Sequence, residues 1–584
     1  MKRDFYDKVM NMQNLNHYKK FIFTAGLLFL FLAGNIHAQS VGDETKLFIE
    51  SSFDVSNRNK IDSVLVKTSS QLYFYVEKSW WEAQFQLKKD EILKNLDSLS
   101  DEFKNNIYPK LTNLFGTERK PGIDNDEKIT VVFHPMKGME GGYFRTADGY
   151  DRLQVPGSNQ REMVYISVDL LTNSNLRVAL AHEFVHLVTF NQKNINFRVE
   201  EEVWLNEARA EYSATILGYD DQYNKSNLQS RVRDFIESPT DSITEWKGTK
   251  YDYSSVSLFM QYLVDHYGVN ILADSLKSRY VGIESINYAL ERTERKDRFS
   301  EAFVNWTIAN VLNDCSVGPK YCYLNKNLTN LRITPNINFL PVSGNASLSV
   351  INVTKNWSGN WQKFIGGNGE LELEFLTSNG LNFIIPYIIE DKNGKYTIEF
   401  LNIDNNKRGV INISGFGTDY KSLIIIPSLQ DKFSGFNGSE LAHPFSYNVT
   451  IGGELPDQNP EQALIEQLLE QIEELKKQIE ELKNKLGIGK EDQKYCSAIN
   501  NDLYFGLSNN NEVKCLQSFL KSLGKDIYPE GLVTGYFGNL TKTAVIKFQE
   551  KYSSEILLPL GLKSGTGFVG FSTRSKINHL LNTR

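Results

Sequence analysis

The sequence predicts a multidomain protein: an α+β unit whose second half is helical, then a β-sandwich, a coiled-coil linker and a small all-α C-terminal domain. Three observations carry this prediction. Strand-like alternation and one long helical pattern share residues 60–173, and helical periodicity then takes over as far as Leu312. Residues 335–452 instead hold short alternating segments, among them Leu371–Phe375, Phe383–Ile389 and Tyr396–Leu401, divided by Asn-Gly and Asn-Asn turns. From Ile465 to Leu486 the apolar residues step by three and four without a break.

Lys19 and Lys20 precede the apolar run Phe21–Ala33. A membrane helix needs about 20 such residues. This shorter run reads as the core of a signal peptide, residues 1–38, cleaved after Ala38, with Met10 and Met12 as alternative starts. The four cysteines fall into local pairs, Cys315 with Cys322 and Cys496 with Cys515. In an oxidising compartment these pairs predict two disulfides, and their spacings lack the paired CxxC hooks of a cysteine zinc site. A net charge of −7 without a basic tract excludes nucleic acid as a partner.

Residues 39–173 form the first part of the α+β unit. Lys60–Val76 alternates as strands, and Lys88–Leu114 has helical spacing. Gly122–His134 is a turn leading into a buried strand. Its Asp124, Asn125 and Asp126 offer oxygens to calcium, but the missing EF-hand spacing favours a plain turn. Met139–Phe144 reads as an edge strand beside a cleft, and Met163–Val168 as a further strand.

Residues 174–330 hold the candidate chemistry. His182-Glu183-Phe184-Val185-His186 sits in a buried helical run, Asn175–Phe190. Residues i and i+4 share a helix face, so the two imidazoles stand side by side as a tetrahedral zinc ion requires. Glu183, the next residue round, can reach water at the metal and take its proton. A third ligand is expected from the next helix, Glu201–Leu217. Glu207 and Glu211 there project from one face, one suited to the metal and the other to a spare histidine N–H.

HEFVH followed by WLNEARAEY resembles the gluzincin metallopeptidases, the thermolysin-like group, over residues 175–265. The wider layout resembles secreted bacterial peptidases of the hyicolysin kind. The resemblance implies a zincin-like fold and one catalytic Zn2+ held by His182, His186 and Glu207, with Glu183 as general base. It places Asn206 and Glu211 behind the ligands, Glu211 standing where these enzymes usually carry Asp. It also implies a tyrosine donor for the oxyanion just before a small-residue helix. The helix is expected from Ser254 to Gly268, so either Tyr251 or Tyr253 fits; His266, at its end, reads as a cap.

The β-sandwich, residues 331–453, reads as a spacer or a binding module, and its lack of any chemical constellation favours the spacer. Residues 454–488 are a hinge and coiled-coil linker, either a parallel homodimer through 461–486 or a stiff single helix. In residues 489–584, the phrases VKCLQSFL, GYFG, TKTAVIKFQ and GFSTR resemble the peptidoglycan-binding type 1 family, a small three-helix module. Thr541 or Thr543 fills its first Thr position, and Tyr536, Phe537 and Thr541 are candidate contacts.

The expectation is a secreted, wall-attached zinc endopeptidase acting on polypeptides. A peptidoglycan-peptide hydrolase and a non-catalytic wall-bound surface protein are the alternatives.

Overall fold

The computed structural model describes residues 39–452, except 139–140, 342–344, 379 and 437, together with 477–478 and 498–582, except 508–509 and 530. The expected signal peptide, nearly all of the linker with its dimer seam, and Cys496 lie outside the described residues. The chain divides into two compact units, Met1–Gln467 and Leu468–Arg584.

The first unit opens with a six-stranded sheet in the order β1-β2-β3-β4-β6-β5. Its strands are β1 (Glu44–Phe48), β2 (Lys60–Thr68), β3 (Leu72–Glu77), β4 (Ile129–His134), β5 (Gly142–Tyr143) and β6 (Met163–Ser167). The three parallel neighbours β3, β4 and β6 are buried along their whole length, because both faces of the sheet are covered. Helices α1 (Gln86–Glu102) and α2 (Tyr108–Phe115), joined by a π turn, share the main core with this sheet. A second cluster, including Leu65, Tyr75, Tyr143 and Tyr165, forms beside it.

Helix α3 (Leu176–Thr189) is buried almost throughout, which explains why its sequence shows no clean polar stripe. Helices α4 (Val203–Ile216), α5 (Asn227–Glu237), α6 (Lys250–Tyr267) and α7 (Phe299–Leu312) follow in the helical half, with shorter helices Asn270–Leu276 and Gly282–Leu290 between the last two. Helix α6 begins at Lys250, earlier than the expected Ser254. Thr249 and Asp252 form a capping box there, so Tyr251 and Tyr253 lie in the helix rather than ahead of it. A Cys315–Cys322 disulfide follows α7.

Strands β7 to β17 occupy Asn336–Leu340, Ala346–Thr354, Gln362–Gly366, Gly369–Thr377, Phe383–Ile384, Pro386–Asp391, Tyr396–Phe400, Arg408–Phe416, Tyr420–Ile425, Ser428–Leu429 and His443–Gly452. A single residue pair, Phe416 with Tyr420, joins β14 to β15. The pairing therefore resolves into two layers, β13-β12-β15-β9-β7 and β14-β10-β17-β8, around one core. These layers do not stand apart from the helical half. Trp357, Trp361, Ile388, Ile426 and Phe436 belong to the core of the helical half. Trp357 packs against Phe299 and Phe303, and the Trp361 indole N–H donates to the Thr307 carbonyl at 2.9 Å.

Among its described residues, the second unit has three longer helices, α8 (Asn511–Ser522), α9 (Asn539–Lys551) and α10 (Phe571–Asn582), with short helical turns between the last two. Its own core includes Leu516, Phe519, Phe537, Val545 and Phe548. Phe537 is therefore a core residue, not a ligand contact. Thr541 fills the first Thr position, because its hydroxyl accepts from the buried Gln517 amide at 2.9 Å. Cys515 is disulfide-bonded.

Candidate metal centre

The site forms where α3 and α4 pack together. His182 and His186 lie one turn apart, their rings edge to face at 4.8 Å. Glu207 reaches across from α4. Its Oε2 lies 3.1 Å from His182 Nε2 and 3.5 Å from His186 Nε2. One donor atom from each of the three residues falls within 4.8 Å of the others. A tetrahedral zinc ion with bonds of about 2.0–2.1 Å sets donor–donor edges of roughly 3.3–3.4 Å. The two measured edges bracket that value, so these residues fit zinc in chemistry and spacing.

The charges point the same way. Burial opposes charge on both imidazoles, yet Glu207 beside them raises both, His186 to about 9. The Glu207 carboxyl is held well below the usual carboxylate range by the two histidines, against its own burial. Glu207 thus favours positive charge at the point where the three side chains meet, which a divalent cation would supply. Asn206 helps to hold the charge on His186.

Glu211 stands behind His182, with Oε1 3.5 Å from Nδ1. It is itself fixed by Arg231 on α5, which donates two bonds of 2.6 and 2.8 Å, and by Asn227 at 2.9 Å. Burial opposes its charge, but Arg231 keeps its carboxyl ionised. Sequence reading passed over Arg231. The signal for it was the amphipathic run Asn227–Glu237 behind its Ser226 cap.

Glu183 is buried on α3, turned towards the edge strand. A Cβ at Gly142 of β5 would lie 3.0 Å from its Oε1, so a glycine makes room for the carboxylate. Tyr143, the other residue of β5, is held from the opposite side. Its hydroxyl meets His134 Nε2 at 3.0 Å and accepts from the Glu50 N–H at 3.1 Å, while His134 Nδ1 lies 3.5 Å from Asp54.

The two candidate tyrosines differ. Tyr251 donates to Glu237 at 3.1 Å and lies beside Lys250, in an exposed ion pair. Tyr253 packs on Trp246 and carries the Arg231 guanidinium over its ring at 4.9 Å. Of the two, Tyr253 is thereby linked through Arg231 and Glu211 to His182. His266 donates to the Cys322 carbonyl at 2.9 Å and serves the helix end.

Asp124, Asn125 and Asp126 form a turn whose carboxylates accept from backbone N–H groups and from Tyr73. A second acidic trio, Asp241, Glu245 and Asp252, has its oxygens within 4.8 Å. Lys247 bridges the first two, Lys355 of the β-layers pairs with Glu245, and Asp252 caps α6. This trio is a joint between the helical half and the β-layers.

No curated protein matches this chain. Among solved structures, it is similar to the periplasmic inhibitor of g-type lysozyme PliG from Aeromonas hydrophila: 11% identity, 20% of this chain, 99% of that one, TM-score 0.14. The pre-peptidase C-terminal domain of a Bacillus anthracis collagenase gives 8% identity over 20% and 96%, with TM-score 0.13. The IMPa metallopeptidase from Pseudomonas aeruginosa gives 9% identity over 78% and 56%, with TM-score 0.11. Among the described residues, no helix is long and apolar enough to cross a membrane. Residues 509–555 match the family described as "Putative peptidoglycan binding domain", which supports association of the C-terminal unit with a cell wall.

Proposed function

We propose that the chain is a secreted zinc-dependent endopeptidase of gluzincin type, attached to the cell wall through its C-terminal unit. The observation that carries this reading is the meeting of His182, His186 and Glu207 around one point, with Glu183 beside them but outside the ligand set. When bound, zinc supplies a Lewis acid that polarises the peptide carbonyl and acidifies water. His182, His186 and Glu207 would hold it, and Glu211 orients the His182 ring from behind. Glu183 takes the proton of the attacking water and passes it to the leaving amine. Tyr253, beside Arg231, is the better placed of the two tyrosines to donate to the oxyanion.

The match of residues 509–555 favours a second reading of the substrate, in which the same chemistry cuts wall peptides. Casein digestion and clearing of wall suspensions, each with a chelator control, separate the two. The test of the chemistry is Glu183→Gln. Zinc content should stay at the parent level, while turnover falls by about 10³-fold or more, from loss of both proton transfers. Parental turnover in that variant would remove Glu183 from the mechanism.

A further inference from the structure

The second unit contains the same device twice. Gln517 of α8 is buried, and its amide locks the loop 534–541. It accepts from the N–H groups of Thr534 and Gly535 at 2.8 and 2.9 Å, and donates to the Tyr536 carbonyl and Thr541 hydroxyl at 2.8 and 2.9 Å. Gln549 of α9, 32 residues later, locks the loop 566–573 in the same way. It accepts from Thr566 and Gly567 at 2.8 and 3.0 Å, and donates to the Phe568 carbonyl and Thr573 hydroxyl at 2.8 and 3.0 Å.

The likeness extends to the surface. Gly535 and Gly567 both take left-handed φ, +79° and +73°. The next residue in each loop is aromatic, Tyr536 or Phe568, and the Cδ1–Cε1 edge of its ring borders a glycine two positions on. A Cβ at Gly538 would meet the Tyr536 ring at 3.0 Å, and one at Gly570 would meet the Phe568 ring at 2.8 Å. One ring edge is thus held, and the residues remain 48% and 43% exposed. A lysine stem borders each loop glycine, Lys514 at Gly535 and Lys542 at Gly567. Tyr504 extends the second platform, its ring 6.4 Å from Phe568. The family match ends at residue 555, before this second loop.

We propose that the C-terminal unit carries two equivalent peptidoglycan sites, the second on the loop 566–573. In each, the exposed aromatic ring takes the apolar face of a sugar ring, and the neighbouring lysine takes a carboxylate of the wall peptide. The proposal rests on the wall-attachment reading and adds a site to it. Two sites on one unit bind a polymeric wall with avidity, where a single site would give only its own affinity.

The full chain carrying Glu183→Gln is titrated with soluble peptidoglycan fragments and sedimented with insoluble peptidoglycan. Expected are two fragments per chain, and one per chain in either Tyr536→Ala or Phe568→Ala. Each single variant should sediment ~10²-fold more weakly, and the double variant not at all. Phe568→Tyr, which copies the first loop, should keep both sites and guards against misfolding. One fragment per chain, lost with Tyr536→Ala and untouched by Phe568→Ala, overturns the second site but leaves wall attachment standing. Failure of the Glu183→Gln chain to sediment overturns wall attachment itself.

Discussion

Gly142 stands against Glu183 with no room for a side chain between them. A Cβ at position 142 would lie 3.0 Å from Glu183 Oε1 and 2.6 Å from the Tyr165 carbonyl oxygen. The carboxylate can turn aside, but the backbone of β6 cannot. Strand β5, paired with β6 at Gly142 and Tyr143, must yield instead. Gly142→Ala should therefore shift the strand and the base together. A displacement near 1 Å costs ~10²-fold in kcat/KM, with zinc content unchanged. Parental kinetics would detach β5 from the proposed site.

The metal should depend on residues that never touch it. Glu207→Ala removes a donor and should abolish zinc retention under a competing chelator. Arg231→Met leaves all three donors but leaves Glu211 held by Asn227 without its two guanidinium bonds, and supporting residues of this kind typically govern 10–100-fold in metal affinity, so about that loss is expected. Arg231→Lys should fall between, because an ammonium cannot make two parallel bonds to Glu211. Unchanged retention in Arg231→Met would reduce Arg231 to a packing role.

Glu162 gives a pH dependence with a definite sign. Burial, aided by the Asp124 charge, pushes its carboxyl up to about 7, against the bond it accepts from the Ile123 N–H. The folded chain therefore holds a proton that the unfolded chain releases near pH 4.5. Between about 4.5 and 7 the unfolded state binds fewer protons, so this residue lowers stability as pH rises through that window. Glu162→Gln keeps the shape without the charge. It should raise the melting temperature at pH 8 and leave it unchanged at pH 4. Equal shifts at both pH values would refute the assignment.

Trp357 tests how tightly the β-layers are joined to the helical half. The ring is fully buried against Phe299 at 4.9 Å and Phe303 at 5.5 Å, and its N–H bonds to the Lys432 carbonyl. Trp357→Ala should cost about 3–5 kcal/mol. Calorimetry should place that loss on one transition shared by residues 39–452. A separate, unmoved transition for the helical half would mean that the two parts fold independently.

The meeting of His182, His186 and Glu207 was legible because helical spacing fixes which side chains share a face, and these three needed only two helices to come together. Strands β2 to β4 and β6 were legible from alternation and apolar runs. The role of the β-layers was not, because Trp357 and Trp361 look like any sandwich core residue until the partner surface is known. The start of α6 was missed because the short polar cap Thr249–Asp252 outweighs the apolar period that begins at Ser254. Arg231 was missed because its partner Glu211 lies on another helix, and Gly142 because close approach leaves no mark on composition. The second loop of the C-terminal unit was visible only as a Gly and a Thr until the two glutamines revealed the repeat.

Lys193 lies seven residues beyond His186, in the π turn that extends α3, and is sealed from solvent. Its ammonium donates to the carbonyls of Ser275, Ser278 and Tyr280, and burial lowers its pKa to about 8. At pH 9 most of it is therefore a neutral amine, chemically ready to acylate but screened from any reagent. Acylation at this one position then waits on transient opening rather than on deprotonation. The chain thus carries an intrinsic clock, read by mass spectrometry, for how often the far end of its ligand-bearing helix comes undone.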